Sequence, residues 1–144
     1  MRPEDAESVA NLSGQLGYPS TAENIRARLA SIERSGEARA LVAETANHHI
    51  VGWIHIHAAY LLECDPYAEI GGLVVADAAR DAGVGRRLVE AGEKWAGEHG
   101  YATMRVRSNV VRLQAHGFYE HLGYARVKTQ HNFAKELASS GNTL

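Results

Sequence analysis

The segment around residues 68–95 constrains the fold more than any other. An apolar strand expected over 68–75 ends on Gly71, Gly72, Leu73, Val74 and Val75. A short loop of small residues follows, and then Val84, Leu88, Ala91 and Trp95 fall on one helical stripe that ends at Gly100. A switch of hydrophobic period from two to about 3.6 within ten residues reads as strand, turn and helix. Such a unit needs a layered domain in which the helix covers a sheet.

The flanking sequence supplies the other layers. Pro3 suits a first helical turn, Glu4 and Asp5 suit its positive end, and Val9, Leu12 and Leu16 share a face before Gly17. Ser20 and Glu23 have capping-box spacing ahead of Ile25, Leu29 and Ile32, with Gly36 as the stop. Apolar runs at 40–43 and 50–57 read as an antiparallel hairpin, and a polar connection at 63–66 leads to the strand at 68–75. After the helix, a strand is expected at 102–108, a helix at 112–122 stopped by Gly123, and two short strands at 124–127 and 132–137. Residues 1–138 are expected to form one mixed α+β domain, with 139–144 as a frayed polar tail.

Composition excludes several classes. A chain of 144 residues matches one domain by the prior of roughly 150 residues each. With 45% hydrophobic and 22% charged residues it is a folding sequence rather than a disordered one. The net charge of −2 provides no basic field for nucleic acid or anionic lipid. Cys64 is the lone cysteine, so no internal disulfide can form and a reducing, cytoplasmic setting is expected. No run approaches the roughly 20 apolar residues of a membrane span, and the opening MRPEDAES is not a signal peptide.

The strand-to-helix loop carries the chemistry. A helix start presents unpaired N–H groups and a positive dipole end, which favours an anion such as phosphate. Gly83 and Gly85 clear the approach, and Arg80 and Arg86 add cationic donors. A nucleoside-triphosphate loop needs Lys and then Ser or Thr after its glycines, where this chain has Arg86 and Arg87. A dinucleotide fingerprint needs a third glycine where Leu88 stands.

The loop resembles the GNAT superfamily of acyl-CoA-dependent N-acetyltransferases. Arg80, Asp81, Ala82, Gly83, Val84 and Gly85 meet every fixed position of its R/Q-x-x-G-x-G/A signature. A second segment, Ala115 to Tyr124 with Phe118, Tyr119 and Gly123, is similar to its A-x-x-F/L-Y-x-x-x-G-F/Y motif. The resemblance implies a central, twisted, mostly antiparallel sheet with a splayed strand pair and flanking helices. It implies acetyl-CoA as co-substrate, its pyrophosphate on the backbone of Asp81, Ala82, Gly83, Val84, Gly85 and Arg86, flanked by Arg80. The pantetheine arm would run along Leu73, Val74 and Val75, with a backbone N–H near Leu73 polarising the acetyl carbonyl. Tyr119 would protonate the departing sulfur, and Glu69 sits where many members place a carboxylate base, acting directly or through a water.

Direct acetyl transfer to a primary amine in a ternary complex follows as the expected activity. The acceptor is expected to be a small amine, amino acid or aminoglycoside-like compound, drawn by Glu63, Asp65 and Glu69. A protein amine as acceptor, or a non-catalytic acyl-CoA sensor, are the competing readings. Strand alternation puts Trp53, His55 and His57 on one face, so a histidine could line the acceptor cleft. That pair lacks a third metal ligand, and no metal is expected. Glu63 and Asp65 disfavour a thiolate at Cys64, placed in a polar loop, and hence an acetyl-cysteine route.

Two features depart from the family pattern. No strand is expected before the first helix, beyond a residue or two, which leaves the strand at 40–44 with an open edge that a dimer or tail residues would cover. Where many members carry an asparagine that reaches the pantetheine, this chain has Arg112; Asn109 is the alternative contact, or Arg112 reaches a phosphate.

Overall fold

The computed structural model describes residues 1–138, so the expected tail at 139–144 lies outside the described residues. Two compact units divide the chain, Met1–Arg107 and a second that begins at Ser108.

The first unit opens with a 3-10 turn at Pro3–Asp5 that continues into α1, Ala6–Gln15. Asp5 is buried, and its carboxylate accepts the Arg2 backbone N–H at 2.7 Å, which fixes the helix entrance. Ala6, Val9, Ala10, Leu12 and Ser13 form the buried face, and Leu16 is only half-buried. In α2, Ala22–Ser35, the capping box is shifted by one residue from the expected pair. Thr21 accepts the Asn24 N–H at 3.0 Å while Asn24 accepts the Thr21 N–H at 3.2 Å. Ser20 instead accepts from the Arg28 guanidinium at 2.9 Å, a longer-range bond that spacing alone does not reveal.

The sheet has the order β1 (Ala38–Glu44), β2 (Ile50–Leu61), β3 (Cys64–Val75) and β4 (Met104–Val106). The first three pair antiparallel, and β3 pairs β4 in parallel. β2 and β3 are longer than expected because their hairpin closes at Leu61 and Cys64, so most of the expected polar connection is strand. Pro66 is tolerated there because the ladder turns its position away from β2, toward a side where pairing with β4 has not yet begun. Among the described residues β1 is an edge and no strand precedes α1, and the Met1 ammonium donates to Ala40 O at 2.9 Å on the open side.

Even-numbered positions of β2 face α3, Val84–Glu98, and odd-numbered ones face α1. Ile54 and Ile56 are fully buried and pack at Gly92 of α3, while Gly52 lies under Leu88 and Val84 of the same helix. On the other face, the Trp53 indole N–H donates to Ser13 Oγ of α1 at 3.1 Å. The core is therefore a sheet with helices on both sides, as a period-two segment between period-3.6 segments requires.

The second unit contains α4, Leu113–His121, ending at Gly123 with φ of 97°. The strands expected at 124–127 and 132–137 do not form. A strand exists only as a paired ladder, and neither run has one, with Val127, Phe133 and Leu137 exposed.

Candidate active site

The sheet opens where β4 ends and β3 runs on alone. Their pairing covers only Ala68↔Met104, Glu69↔Arg105 and Ile70↔Val106, while β3 runs on to Val75. The register between β2 and β3 also shifts here, from Ile56↔Ile70 to His55↔Gly72, leaving Gly71 as the extra residue of a bulge. The Ala76 N–H bonds Val51 O at 2.8 Å, which fixes the phase of this ladder. Antiparallel pairs alternate between bonded and non-bonded. Val74 and Gly72 are thus bonded to Trp53 and His55, whereas Leu73 and Val75 turn their N–H and C=O groups to the side that has no partner strand among the described residues. Of the three residues expected along the pantetheine, Val74 has its backbone engaged and its side chain buried.

β3 leads into the loop before α3. A 3-10 segment, Asp77–Ala82, occupies what the sequence suggested was a plain turn, and carries Arg80, Asp81 and Ala82. Gly83 then takes φ of 76°, a left-handed value that glycine adopts without the cost of roughly 1–2 kcal/mol incurred by other residues. It is the N-cap of α3, no side chain caps that end, and the first turn holds no acidic residue. Val84, buried Gly85 and Arg86 open the helix, so their N–H groups are among the unpaired donors of its first turn. Arg80 pairs with Asp77 at 3.1 Å and Arg86 with Glu90 at 3.5 Å; both guanidiniums are half-exposed and retain free donors.

An ion cluster lies on the α1 side of the sheet. The Glu69 carboxylate is buried, accepts from Arg107 Nε at 2.8 Å, and faces His57 Nε2 at 3.5 Å. His57 and His55 have ring centroids 5.5 Å apart. Burial, and secondarily the neighbouring His57, hold the His55 imidazole below its ordinary pKa. Glu63 and Asp65 are exposed near the β2–β3 turn, and Cys64 is a free thiol at the start of β3 rather than in a loop.

In the second unit, Asn109 uses its side chain locally. Its Oδ1 accepts the Val111 N–H at 3.1 Å, and its backbone oxygen accepts the Arg112 N–H at 3.0 Å. Arg112 is the residue preceding α4. Tyr119 sits in the middle of α4, edge-on to Phe118 and Tyr124 with centroids 5.1 and 5.8 Å away. Burial raises its phenol above the usual value and the Arg112 charge opposes this, so the hydroxyl is protonated at neutral pH.

The structure thus brings Glu69, Leu73 and Val75 to one strand that runs into the loop from Arg80 to Arg86, while Asn109, Arg112 and Tyr119 belong to the second unit. Sequence reasoning missed Arg107, because the Glu69 partner lies 38 residues away. It also missed the bulge, although paired glycines inside an apolar strand are a signal for one. Among the described residues no group of three potential ligands could hold a metal ion, and no helix is long and apolar enough to cross a membrane.

Comparison with known proteins gives the family. The sequence matches no curated protein. Solved structures superpose closely at low identity. An aminoglycoside 6'-N-acetyltransferase from Acinetobacter haemolyticus has a TM-score of 0.80 at 15% identity, covering 96% of this chain and 97% of that one. The aminoglycoside N-acetyltransferase AAC(6')-Iy in complex with CoA gives 0.82 at 19%, covering 95% and 92%. A Trypanosoma brucei acetyltransferase gives 0.75 at 21%, covering 94% and 96%. These likenesses establish a shared mixed α+β fold. The family model for the acetyltransferase (GNAT) family matches residues 9–124, most of the chain, and the protein therefore belongs to the GNAT acetyltransferases, enzymes that use acetyl-CoA.

Proposed function

We propose that the protein transfers the acetyl group of acetyl-CoA to a primary amine by direct attack in a ternary complex. The observation that carries this reading is the unpaired side of β3 at Leu73 and Val75, continuous with the uncapped start of α3. An extended pantetheine amide pairs with such an edge as an added strand would. The pyrophosphate falls to the N–H groups at Gly83, Val84, Gly85 and Arg86, preceded by Asp81 and Ala82, with Arg80 and Arg86 as flanking cations. The Leu73 N–H is the donor for the oxyanion formed as the amine attacks. Tyr119, kept protonated by burial, returns a proton to the departing sulfur. Asn109 and Arg112 complete the cofactor contacts.

Glu69 provides the base function on the acceptor side. One of its oxygens accepts from Arg107 and the other faces His57, so it works through a bridging water or neighbouring side chain. The acceptor class is a small amine, an amino acid or an aminoglycoside-like compound; similarity to aminoglycoside acetyltransferases supports the last. The open β1 edge beyond the Met1 contact is the surface that a second copy would cover in a homodimer. The lone thiol Cys64 suits a reducing cytoplasmic setting.

The test is a screen for thiol release from acetyl-CoA over amine acceptors, repeated with Tyr119→Phe. The enzyme reading expects an acceptor-dependent signal, with kcat lowered about 100-fold in the variant and CoA affinity retained. A protein that binds acetyl-CoA but turns over no amine would instead be an acyl-CoA sensor.

A further inference from the structure

The two glycines of the β3 bulge have a second consequence. A Cβ on Gly71 would stand 2.7 Å from His55 Nδ1 and 3.2 Å from its Cε1, and one on Gly72 would stand 2.9 Å from the Trp53 ring. Only glycine lets the side chains of β2 lie flat across β3 at this point. The His55 imidazole therefore lies over Gly71, one residue beyond the last β3–β4 pair and two before Leu73.

His57, by contrast, is already committed. Its Nδ1 lies 3.3 Å from Ala58 O and its Nε2 3.5 Å from the Glu69 carboxylate. Among the described residues, neither ring nitrogen of His55 has a hydrogen-bond partner, although the ring is half-buried. A partly desolvated imidazole with an unused lone pair is a proton acceptor waiting for a donor. We propose that His55 takes the proton from the acceptor ammonium, its ring held over Gly71 where β3 runs on past the end of β4. This rests on the amine-acetyltransferase reading, with His57 the side chain that lies between His55 and Glu69.

The step balances without a further reactant. One N–H bond of the ammonium breaks, the electron pair stays on nitrogen, and the proton moves to a ring nitrogen of His55. The amine attacks the thioester carbon, the C–S bond breaks, and the sulfur takes the Tyr119 proton. The second proton leaving nitrogen restores Tyr119 through solvent, and His55 releases its own to water. The products are the amide, CoA thiol and one proton.

Charges around the ring support the role. His57 is the titratable neighbour on β2, with Glu69 of β3 and Arg107 after β4 behind it. Opposite His55 on β1 stands Ala40, and α1 presents Ser13, bound to Trp53. Burial and His57 favour the neutral, proton-accepting ring at pH 7. Gly71 is a positioning residue, and His55 is the catalytic one.

The experiment follows the His55 Cε1 resonance by NMR in the CoA complex, assigned through His55→Gln. It is titrated with pH, then with three amine probes: neamine, spermidine and L-lysine. Expected are a midpoint below the ordinary histidine value and a movement of this resonance with at least one probe. With that probe as acceptor, His55→Gln should lower kcat about 100-fold and remove the acid limb of the pH profile, leaving the KM for acetyl-CoA unchanged. Gly71→Ala should displace the resonance and lower kcat about 10-fold. A ring charged at neutral pH, no movement with any probe, or a His55→Gln enzyme with an intact pH profile would overturn the proposal. Failure of the unmodified protein to bind CoA would instead overturn the acetyltransferase reading on which it rests.

Discussion

Gly92→Ala tests how tightly α3 is seated on the sheet, and therefore how its first turn is aimed. Two effects oppose each other. Alanine in a helix interior is favoured over glycine by about 0.8–1.0 kcal/mol. Against this, the new Cβ would lie 3.1 Å from both Cδ1 and Cγ1 of Ile56 and 3.5 Å from Ile54 Cδ1. Both isoleucines are 0% exposed, so they have no free volume to retreat into. Overpacking of that kind costs about 1–3 kcal/mol, so the net effect is a loss of about 1 kcal/mol. Gly97 of the same helix provides the control, since a Cβ there meets nothing within 4 Å. Gly97→Ala should be neutral to stabilising, by less than about 1 kcal/mol because it lies in the last turn. Urea unfolding of both variants measures the difference, expected at about 1–3 kcal/mol. Equal stabilisation by both would refute the close packing of α3 on β2.

Arg107→Ala should cost about 1–2 kcal/mol. That is the range of a charge-assisted hydrogen bond to a buried carboxylate, discounted because the Arg107 side chain is 68% exposed. Thermal unfolding should show a drop of about 3–6 °C, with partial recovery in Arg107→Lys; an unchanged midpoint would refute the anchoring of Glu69. The pH dependence of stability tests His55 in a different way. Its folded pKa lies below the unfolded value of 6.5, so the unfolded chain binds the proton more readily. The stabilising contribution of the neutral ring is complete above that value and is lost as pH falls through 6.5 toward the folded pKa. Between pH 7.5 and 5.5 the protein should therefore lose more stability than His55→Gln does, and parallel curves by calorimetry would contradict the depressed pKa.

The order of helices and strands as far as α4 was legible from periodicity, because each element buries one face and the period of that face differs between helix and strand. What escaped detection depends on partners distant in sequence. Ser20 and Thr21 both have capping-box spacing; Thr21 takes the cap, and Ser20 accepts from Arg28 instead. The runs at 124–127 and 132–137 were expected as short strands but have no ladder to join. Within the site, Gly83 was readable because a left-handed cap demands glycine. Glu69 was readable as a carboxylate at a strand start, yet its burial and its Arg107 partner follow from the parallel pairing of β3 with β4. The bulge at Gly71 depends on register, which no single strand encodes.

The most direct test of acetyl-CoA use is a calorimetric titration of acetyl-CoA and CoA into the purified protein, into Gly83→Ala and into Gly83→Glu. Both substitutions impose the same left-handed strain, but only the second places a carboxylate at the start of α3, where the pyrophosphate is expected. Micromolar binding, a standard free energy of about −8 kcal/mol, retained in Gly83→Ala and lost in Gly83→Glu, is the predicted result. Absence of binding by the folded unmodified protein, or equal binding by Gly83→Glu, would contradict the site.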